Sequence, residues 1–412
     1  MRLTYRLLGL VLAASAGGDA LAQKHAGSSG ESLSWTLQGS FPDPGGRTDV
    51  QAGGQVTVTP RPASMPNPAG SPSVPSCSHS PVCDNRMLGV GTKTRQQLQR
   101  VTWKQNLGYQ FSYPYTLPVG FGGVPAVALN SKGNLWVFKR SPAGTPQLYE
   151  FGPDHQLLRQ VGDDVIGHSS KAHGMAIDAH DNVWITDAAQ AIVQKVSPEG
   201  KLLRTFGTRG RRGDWDEAKE QRLLWEPLMV AFGPKGDVYI GEGHGNESPN
   251  DTDSDDAANK SGAGRVIHLD QDGKFLEQWY GNDIGQGKFS MVHGLAIDPR
   301  NGDVWIGDRE QYRIVVYSAN GQFIKTLQMR NLVCALYFDT HGDPWMGSGQ
   351  DGQFLKLDRH GNVISAIGNG MGIGAGQFIE ASYFVMDKHD NLYAGDTSVG
   401  RITVMTRGAL SH

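Results

Sequence analysis

A short strand unit recurs six times in this chain, and each copy carries two turn-forming or polar residues, an apolar residue and then an aromatic. The six aromatics, which lie 48, 55, 66, 40 and 48 residues apart, are Trp136, Trp184, Tyr239, Trp305, Trp345 and Tyr393. A period of roughly 40 to 50 residues with about four strands per unit is typical of a β-propeller. One small sheet cannot bury both of its own faces, so neighbouring units must stack in a ring to form a core. We therefore predict an all-β chain with a single six-bladed β-propeller.

The first 22 residues have the pattern of an export signal. Arg2 and Arg6 form a basic start, residues 7–16 form an apolar run, and residues 20–22 (Ala-Leu-Ala) match a cleavage site for signal peptidase. The apolar run is too short to span a bilayer. We therefore expect a periplasmic or secreted protein with no membrane span.

The segment that follows differs in composition from the rest of the chain. Residues 23–96 are rich in Gly, Ser and Pro, and they lack the apolar content that offsets the entropy of chain ordering. We interpret them as a disordered arm, followed by the propeller at 97–408. An oxidising compartment favours a disulfide between Cys77 and Cys83, six residues apart in this arm, which leaves Cys334 as a free thiol.

The sixth unit is incomplete. It begins at residue 383 and ends after its third strand, near residue 407, whereas each other unit has four strand-like runs. A ring must close without a free sheet edge. We therefore expect the missing outer strand to come from residues upstream of the first blade, with 100–106 as the best candidate.

The charge of the chain restricts its partners. A total of 38 Lys and Arg against 41 Asp and Glu gives a formal net charge of −3. This balance offers no electrostatic basis for binding nucleic acid or an anionic membrane surface. We expect a monomer that takes a small-molecule or peptide substrate in its central channel.

Several strand sequences resemble a known family of repeats. Residues 183–187 (VWITD) and 304–308 (VWIGD) resemble NHL repeats, and the similarity extends over about residues 120–408. More specifically, residues 172–178 (AHGMAID) and 292–298 (VHGLAID) resemble the peptidyl-α-hydroxyglycine α-amidating lyase family. That resemblance implies a six-bladed propeller with zinc held by three histidines in a central cavity. It also implies cleavage of a carbinolamide into a peptide amide and glyoxylate, helped by an arginine and a tyrosine.

The resemblance transfers to individual positions only in part. It places His173 and His293 at two of the zinc histidines and Arg140 at the substrate-binding arginine. Ser382 stands where the third histidine is expected, and Tyr383 replaces the aspartate after it. His244 stands in the segment where the family has its catalytic tyrosine.

Propeller geometry brings further candidates to the same place, because the residue that opens each innermost strand points toward the ring axis. Across blades one to six this row is Pro125, His173, Leu228, His293, Cys334 and Ser382. Zinc and copper prefer nitrogen and sulfur ligands. We therefore predict a metal centre, with zinc preferred, that uses His173, His293 and either His244 or Cys334. His244 is favoured because a lone cysteine in a strand is commonly a buried small hydrophobe. Hydrogen-bonded histidines without a metal remain the alternative.

Acidic residues recur just after the second strand in four blades, at Asp187, Glu242, Asp308 and Asp396. Their repetition indicates a structural role, in which they pair with backbone amides or with Arg265, Arg313 and Arg401. Blade one has no acid at this position. Arg140 stands near the mouth there and is a candidate for holding an anionic group of a substrate.

Two functional hypotheses from different classes follow. The first is a metal-dependent, lyase-type enzyme that acts on a hydroxylated small or peptide-like substrate, with Arg140 holding a carboxylate and His244 acting as ligand or general base. The second is a non-catalytic exported propeller that binds a protein or glycan partner. A calcium-centred, lactonase-type propeller ranks third, because it requires acidic and amide ligands that the row of opening residues lacks.

Overall fold

The computed structural model describes the strand residues at 21–58 and most of the chain from residue 103 to residue 407. Between those two residues the gaps are 105–106, 118–121, 170, 244–263, 287 and 399. Cys77, Cys83 and His244 lie outside the described residues, so the disulfide and the role of His244 stay predictions. The chain divides into two compact units, residues 1–71 and 72–412.

The first unit contains a small antiparallel sheet formed by β1 (Leu21–Ala26), β2 (Leu33–Gln38) and β3 (Gln55–Val58). The interpretation of this region as an arm rests on its overall composition and includes no strands. The sequence of β2, LSWTLQ, alternates apolar and polar residues, which is the local pattern of a strand. The structure thus adds a short sheet to a segment whose average composition favours disorder.

The second unit is built almost entirely from strands. It begins with β4 (Tyr109–Ser112) and continues through six sets of strands. Blades one to three consist of β5 (Ala126–Leu129), β6 (Leu135–Phe138), β7 (Leu148–Phe151) and β8 (Leu157–Val161), then β9 (Ala172–Ile177), β10 (Val183–Asp187), β11 (Ile192–Val196) and β12 (Leu202–Gly207), then β15 (Pro227–Phe232), β16 (Val238–Glu242), β17 (Arg265–Leu269) and β18 (Phe275–Trp279). A hairpin of β13 (Trp215–Asp216) and β14 (Gln221–Arg222) separates blades two and three.

The remaining blades repeat the arrangement. They consist of β19 (Val292–Ile297), β20 (Val304–Asp308), β21 (Arg313–Tyr317) and β22 (Phe323–Gln328), then β23 (Ala335–Phe338), β24 (Pro344–Ser348), β25 (Gln353–Leu357) and β26 (Val363–Ile367), then β27 (Phe384–Met386), β28 (Leu392–Gly395) and β29 (Ile402–Arg407). The helices described are α1 (Asp163–Ile166) and single 3-10 turns at Glu217–Lys219, Arg309–Gln311 and Gly349–Asp351. None of these short helices could cross a lipid bilayer.

The first strands of the blades line the centre of the ring. Going round, β5 contacts β9, β9 contacts β15, β15 contacts β19, β19 contacts β23, β23 contacts β27, and β27 returns to β5. Each sheet pairs its four strands in antiparallel order from the centre outward. The prediction of a six-bladed, all-β propeller is confirmed.

The recurring aromatic of each unit packs in the core, and in three blades it also has a polar partner. Trp136 is fully buried, and four of the other five are nearly so. In blades two, five and six the aromatic also bonds to an aspartate six residues before it, through Trp184 Nε1 to Asp178 (3.0 Å), Trp345 Nε1 to Asp339 (2.9 Å) and the Tyr393 hydroxyl to Asp387 (3.2 Å). The aspartate directly follows the first strand and opens the turn to the second, so this bond ties the turn to the aromatic of the second strand.

The ring closes through β4, which pairs antiparallel with β29 and completes blade six. An upstream origin for the missing strand is confirmed, but its predicted position at 100–106 is wrong, because the paired strand is Tyr109–Ser112. The backbone of Trp103 instead exchanges two hydrogen bonds with the Gln353 side chain of blade five, at 2.8 and 2.7 Å. The closing strand is the next alternating segment, with Tyr109 buried and Phe111 half-buried.

Removing the closing strand should prevent cooperative folding. A chain that starts at residue 97 retains β4 and should show the same thermal unfolding midpoint as the propeller of the full protein. A chain that starts at residue 114 leaves β29 with an unpaired edge and loses the Trp103 contacts, so it should show no cooperative transition by circular dichroism. An unchanged midpoint for that shorter chain would contradict this account of ring closure.

Candidate metal centre

The two predicted histidines meet in the centre of the ring. His173 is the second residue of β9 and His293 the second residue of β19, so each stands at the same position of an inner strand. Their ring centroids lie 4.7 Å apart with an interplanar angle of 67°. Both side chains are buried, at 7% and 5% exposure. Inner strands of blades two and four thus bring together two imidazoles that are far apart in the sequence.

Each histidine has one nitrogen engaged with a backbone carbonyl. His173 Nδ1 lies 3.0 Å from the Leu228 oxygen, and His293 Nδ1 lies 2.5 Å from the Cys334 oxygen. A carbonyl oxygen only accepts hydrogen bonds, so in the neutral ring the proton is on Nδ1 and the lone pair is on Nε2. Histidines that bind metals are commonly oriented in this way, by a hydrogen bond from the nitrogen that does not bind the ion.

The surroundings keep His173 uncharged. Burial lowers its pKa well below the ordinary value of 6.5, and the neighbouring His293, Arg140 and Lys171 lower the pKa further. A metal ligand must present a neutral imidazole. The donor chemistry of the pair therefore fits a zinc ion, and His173 is available as a nitrogen ligand at neutral pH.

A tyrosine occupies the space beside both histidines. The Tyr383 hydroxyl lies 2.7 Å from the His293 carbonyl oxygen and 3.0 Å from that of Leu228. It also lies 3.3 and 3.4 Å from the Nδ1 atoms of His173 and His293, and its ring stacks on His293 at 5.6 Å. Burial raises the pKa of this phenol well above 10, so the hydroxyl stays protonated. Sequence reasoning treated Tyr383 only as a replacement for aspartate and missed these contacts.

Arg140 lies at the strand end that carries His173. Its Nε donates to the carbonyl of Ala172, the residue before His173, at 3.0 Å, and its side chain is half-buried. Its backbone carbonyl approaches Gly122 so closely that a Cβ on Gly122 would lie 1.7 Å from the oxygen. Lys171 lies two residues before His173, and its Nζ pairs with the buried Glu226 carboxylate at 2.5 Å. Arg140 thus places a guanidinium beside His173, whereas Glu226 balances the charge of Lys171.

The described residues do not identify the third predicted ligand. Among them, no three His, Cys, Asp or Glu side chains are arranged to hold a metal. Ser382 contacts the Thr397 hydroxyl at 3.3 Å. Cys334 turns its carbonyl toward His293, and its side chain is buried beside Tyr312 and Leu332. His244 lies outside the described residues, so the choice between His244 and Cys334 stays a prediction.

One buried cation near this centre was missed by sequence reasoning. Arg309 follows Asp308 directly and is 4% exposed. Its Nη2 lies 3.9 Å from the Glu380 carboxylate, and its Nη1 lies 3.7 Å from the Met291 sulfur. Burial raises the pKa of the nearby Cys334 thiol, and Arg309 opposes that rise. A charged residue directly after the recurring acid was the available signal in the sequence.

The recurring acids have the structural role that their repetition indicated. Glu242 forms a buried ion pair with Arg265. Asp308 accepts hydrogen bonds from the Arg313 side chain and from two backbone amides, at 2.8 to 3.0 Å. Asp187 and Asp396 accept from backbone amides, at 3.0 Å from Gln190 and at 2.8 and 2.9 Å from Ile379 and Ser398. Arg401 differs from the prediction, because it donates to the carbonyls of Ile373 and Gln377.

Comparison with known proteins finds one NHL repeat in blade four and several distant relatives. The NHL repeat family matches residues 289–317, which include His293. The chain is 28% identical to mouse peptidyl-glycine alpha-amidating monooxygenase over 288 residues, which cover 61% of this chain and 27% of that protein. It is 30% identical to peptidyl-alpha-hydroxyglycine alpha-amidating lyase 2 of Drosophila melanogaster over 146 residues, which cover 31% and 35% of the two proteins. The matches thus span about a quarter to a third of these relatives.

Solved structures share the fold at low sequence identity. A gluconolactonase from Xanthomonas campestris is 14% identical, with a TM-score of 0.52 over 75% of this chain and 94% of that one. A streptogramin B lyase is 10% identical, with a TM-score of 0.50 over 74% of this chain and 100% of that one. These two likenesses concern the fold alone.

The structural role of the recurring acids can be tested at Asp308. Asp308→Asn leaves the buried Arg313 without its counter-charge, so it should lower the free energy of unfolding by about 3–5 kcal/mol. Urea denaturation measures this change. The control is Asp343→Asn, which removes a partly exposed partner of Lys356 and should cost about 1 kcal/mol or less. Equal effects of the two substitutions would contradict the assigned role.

Proposed function

We propose that this protein is an exported, metal-dependent lyase that cleaves a hydroxylated, peptide-like substrate bearing a carboxylate. The observation that carries the proposal is the buried pair of His173 and His293, with Nδ1 of each ring engaged by a carbonyl. Similarity to relatives named as amidating lyases supports the reaction class. Export rests on the signal-like residues 1–22, and the expected compartment is the periplasm or the exterior.

The metal ligands would be His173, His293 and His244. A bound zinc ion supplies a Lewis acid that polarises a substrate hydroxyl or carbonyl oxygen and stabilises negative charge on it. Burial and nearby positive charge keep His173 neutral, so its Nε2 lone pair is available to a metal ion.

Arg140 would orient the substrate. A guanidinium binds a carboxylate through two parallel hydrogen bonds, which fixes the direction of approach as well as the affinity. Arg140 stands beside Ala172 and His173, so a carboxylate held there places the adjacent hydroxylated carbon toward the histidine pair.

The bond change requires a proton to move from the hydroxyl to the leaving nitrogen. The hydroxyl loses its proton as its C–O bond becomes a carbonyl, and the bond from that carbon to the amide nitrogen breaks. The nitrogen regains a proton and leaves as the primary amide. His244 is the candidate for this proton transfer if it is not the third metal ligand.

A non-catalytic propeller that binds a protein or glycan is the second candidate. The observation in its favour is Ser382, which takes the place of a family histidine and bonds to Thr397. A protein that holds no metal and cleaves no carbinolamide would support this candidate.

Metal analysis separates the two candidates. The purified chain should contain close to one zinc ion by inductively coupled plasma mass spectrometry, and His173→Ala should lose it. The matched control is His268→Gln, because His268 is a buried histidine whose ring bonds to Asp237 and Glu277 instead. Full retention of zinc by His173→Ala would overturn the ligand assignment, and zinc-free wild type would favour the binding scaffold.

Arg140→Lys should weaken substrate binding without affecting the metal. Losing the two-point contact to a carboxylate should raise KM for a peptidyl-α-hydroxyglycine by about 10- to 100-fold. Glyoxylate release measures the rate, and zinc content should stay equal to that of the wild type. An unchanged KM would remove Arg140 from the site. His244→Ala that keeps zinc but loses activity would identify His244 as the base.

A further inference from the structure

Blade six reaches the centre of the ring through Tyr383. The residue that opens this blade, Ser382, bonds to Thr397 of its own blade. Tyr383 comes next in the chain, and its backbone amide donates to the Pro125 carbonyl of blade one at 3.1 Å. The backbone is thus tied at the inner rim, and the side chain extends to carbonyls of blades three and four, at Leu228 and His293.

The hydrogen-bonding capacity of a phenol determines how these contacts are arranged. A tyrosine hydroxyl has one proton to donate, and its oxygen can also accept. The shortest contact, 2.7 Å to the His293 carbonyl oxygen, takes the proton. The oxygen is then an acceptor for the Nδ1–H groups of His173 and His293, at 3.3 and 3.4 Å. Each of these N–H groups lies between a backbone carbonyl and the same phenol.

We infer that Tyr383 is the positioning residue of the metal centre: the Leu228 and Cys334 carbonyls select the Nδ1–H tautomers, and the phenol fixes the orientation of the His173 and His293 rings together. The inference rests on the proposed function in that it assigns the two histidines to a metal. A single phenol oxygen within 3.4 Å of both Nδ1 atoms restrains the rotation of both rings and thereby the direction of both Nε2 lone pairs. It also couples the two rings, because rotation of either one breaks a contact with the same oxygen.

A purely structural role makes a different prediction. Tyr383 is 3% exposed, and its ring stacks on His293 at an angle of 16°, so packing alone could explain its burial. In that case the hydroxyl contributes only one hydrogen bond to stability and has no effect on the orientation of the histidine rings. Removing the hydroxyl while keeping the ring separates the two roles.

The variant that tests this inference is Tyr383→Phe, and its matched control is Tyr149→Phe. Tyr149 is fully buried, and its hydroxyl donates to the Pro146 carbonyl at 2.6 Å. Loss of an outer-shell partner of a metal ligand typically weakens metal binding by 10- to 100-fold. Competition with a chromophoric chelator should therefore give a zinc Kd raised about 10- to 100-fold in Tyr383→Phe and changed less than about twofold in Tyr149→Phe. Equal zinc affinities of the two variants would overturn the inference.

A second measurement needs neither metal nor activity. Long-range 1H–15N NMR of the metal-free wild type should show one sharp set of signals for each of His173 and His293, both as Nδ1–H tautomers. Tyr383→Phe should keep these tautomers, because the carbonyls remain, but should show broadened or doubled ring signals for both histidines. Single sharp signals in the variant, or Nε2–H tautomers in the wild type, would refute the inference, and the second result does so even if the variant does not fold. If the wild type binds no zinc, the proposed function fails, and the comparison of ring signals still decides whether Tyr383 orients the two rings.

Discussion

Pairing between β4 and β29 is the interaction on which the rest of the propeller depends. Every inner strand contacts the inner strand of the next blade, and β27 contacts β5 to complete the circle. Blade six has only three strands of its own, so without β4 its outer edge would be open beside the join between the chain ends. Antiparallel pairing supplies the backbone partners that this edge lacks. The position of the central residues follows from this closure, because an open ring has no fixed axis.

Closure of the ring brings equivalent positions of different blades to the same place. The second residues of β9 and β19 are equivalent in their blades, and the ring brings their imidazoles to 4.7 Å. At the same mouth, buried acids such as Glu242 and Asp308 pair with Arg265 and Arg313. These ion pairs fix the ends of the second strands. The inner strands that pair with them carry their polar side chains at the same end of the ring. Structural and candidate functional groups are thus adjacent but use different residues of the repeat.

Blade six shows how a departure from the repeat is accommodated. Ser382 is too short to reach the histidines and bonds within its own blade. Tyr383 spans the distance instead and contacts blades two, three and four. Positive charge from Arg140 and Lys171 and the burial of His173 act in the same direction, since each disfavours the imidazolium. His173 is therefore held as a neutral imidazole, although Ser382 stands where the family that the chain resembles has a histidine.

The spacing of the six aromatics and the NHL-like strand sequences were enough to predict the fold, the number of blades and the meeting of His173 with His293. Local rules suffice for these features, because a repeat period and an equivalent position in each blade determine where a side chain lies in a closed ring. Three features depended on the tertiary structure: the place of the closing strand, the reach of Tyr383 and the burial of Arg309. Each is a contact between residues far apart in the sequence, at Tyr109 with Arg407, Tyr383 with His173, and Arg309 with Glu380. No periodicity encodes such contacts, because they depend on which side chains the curvature of the ring brings within hydrogen-bonding distance.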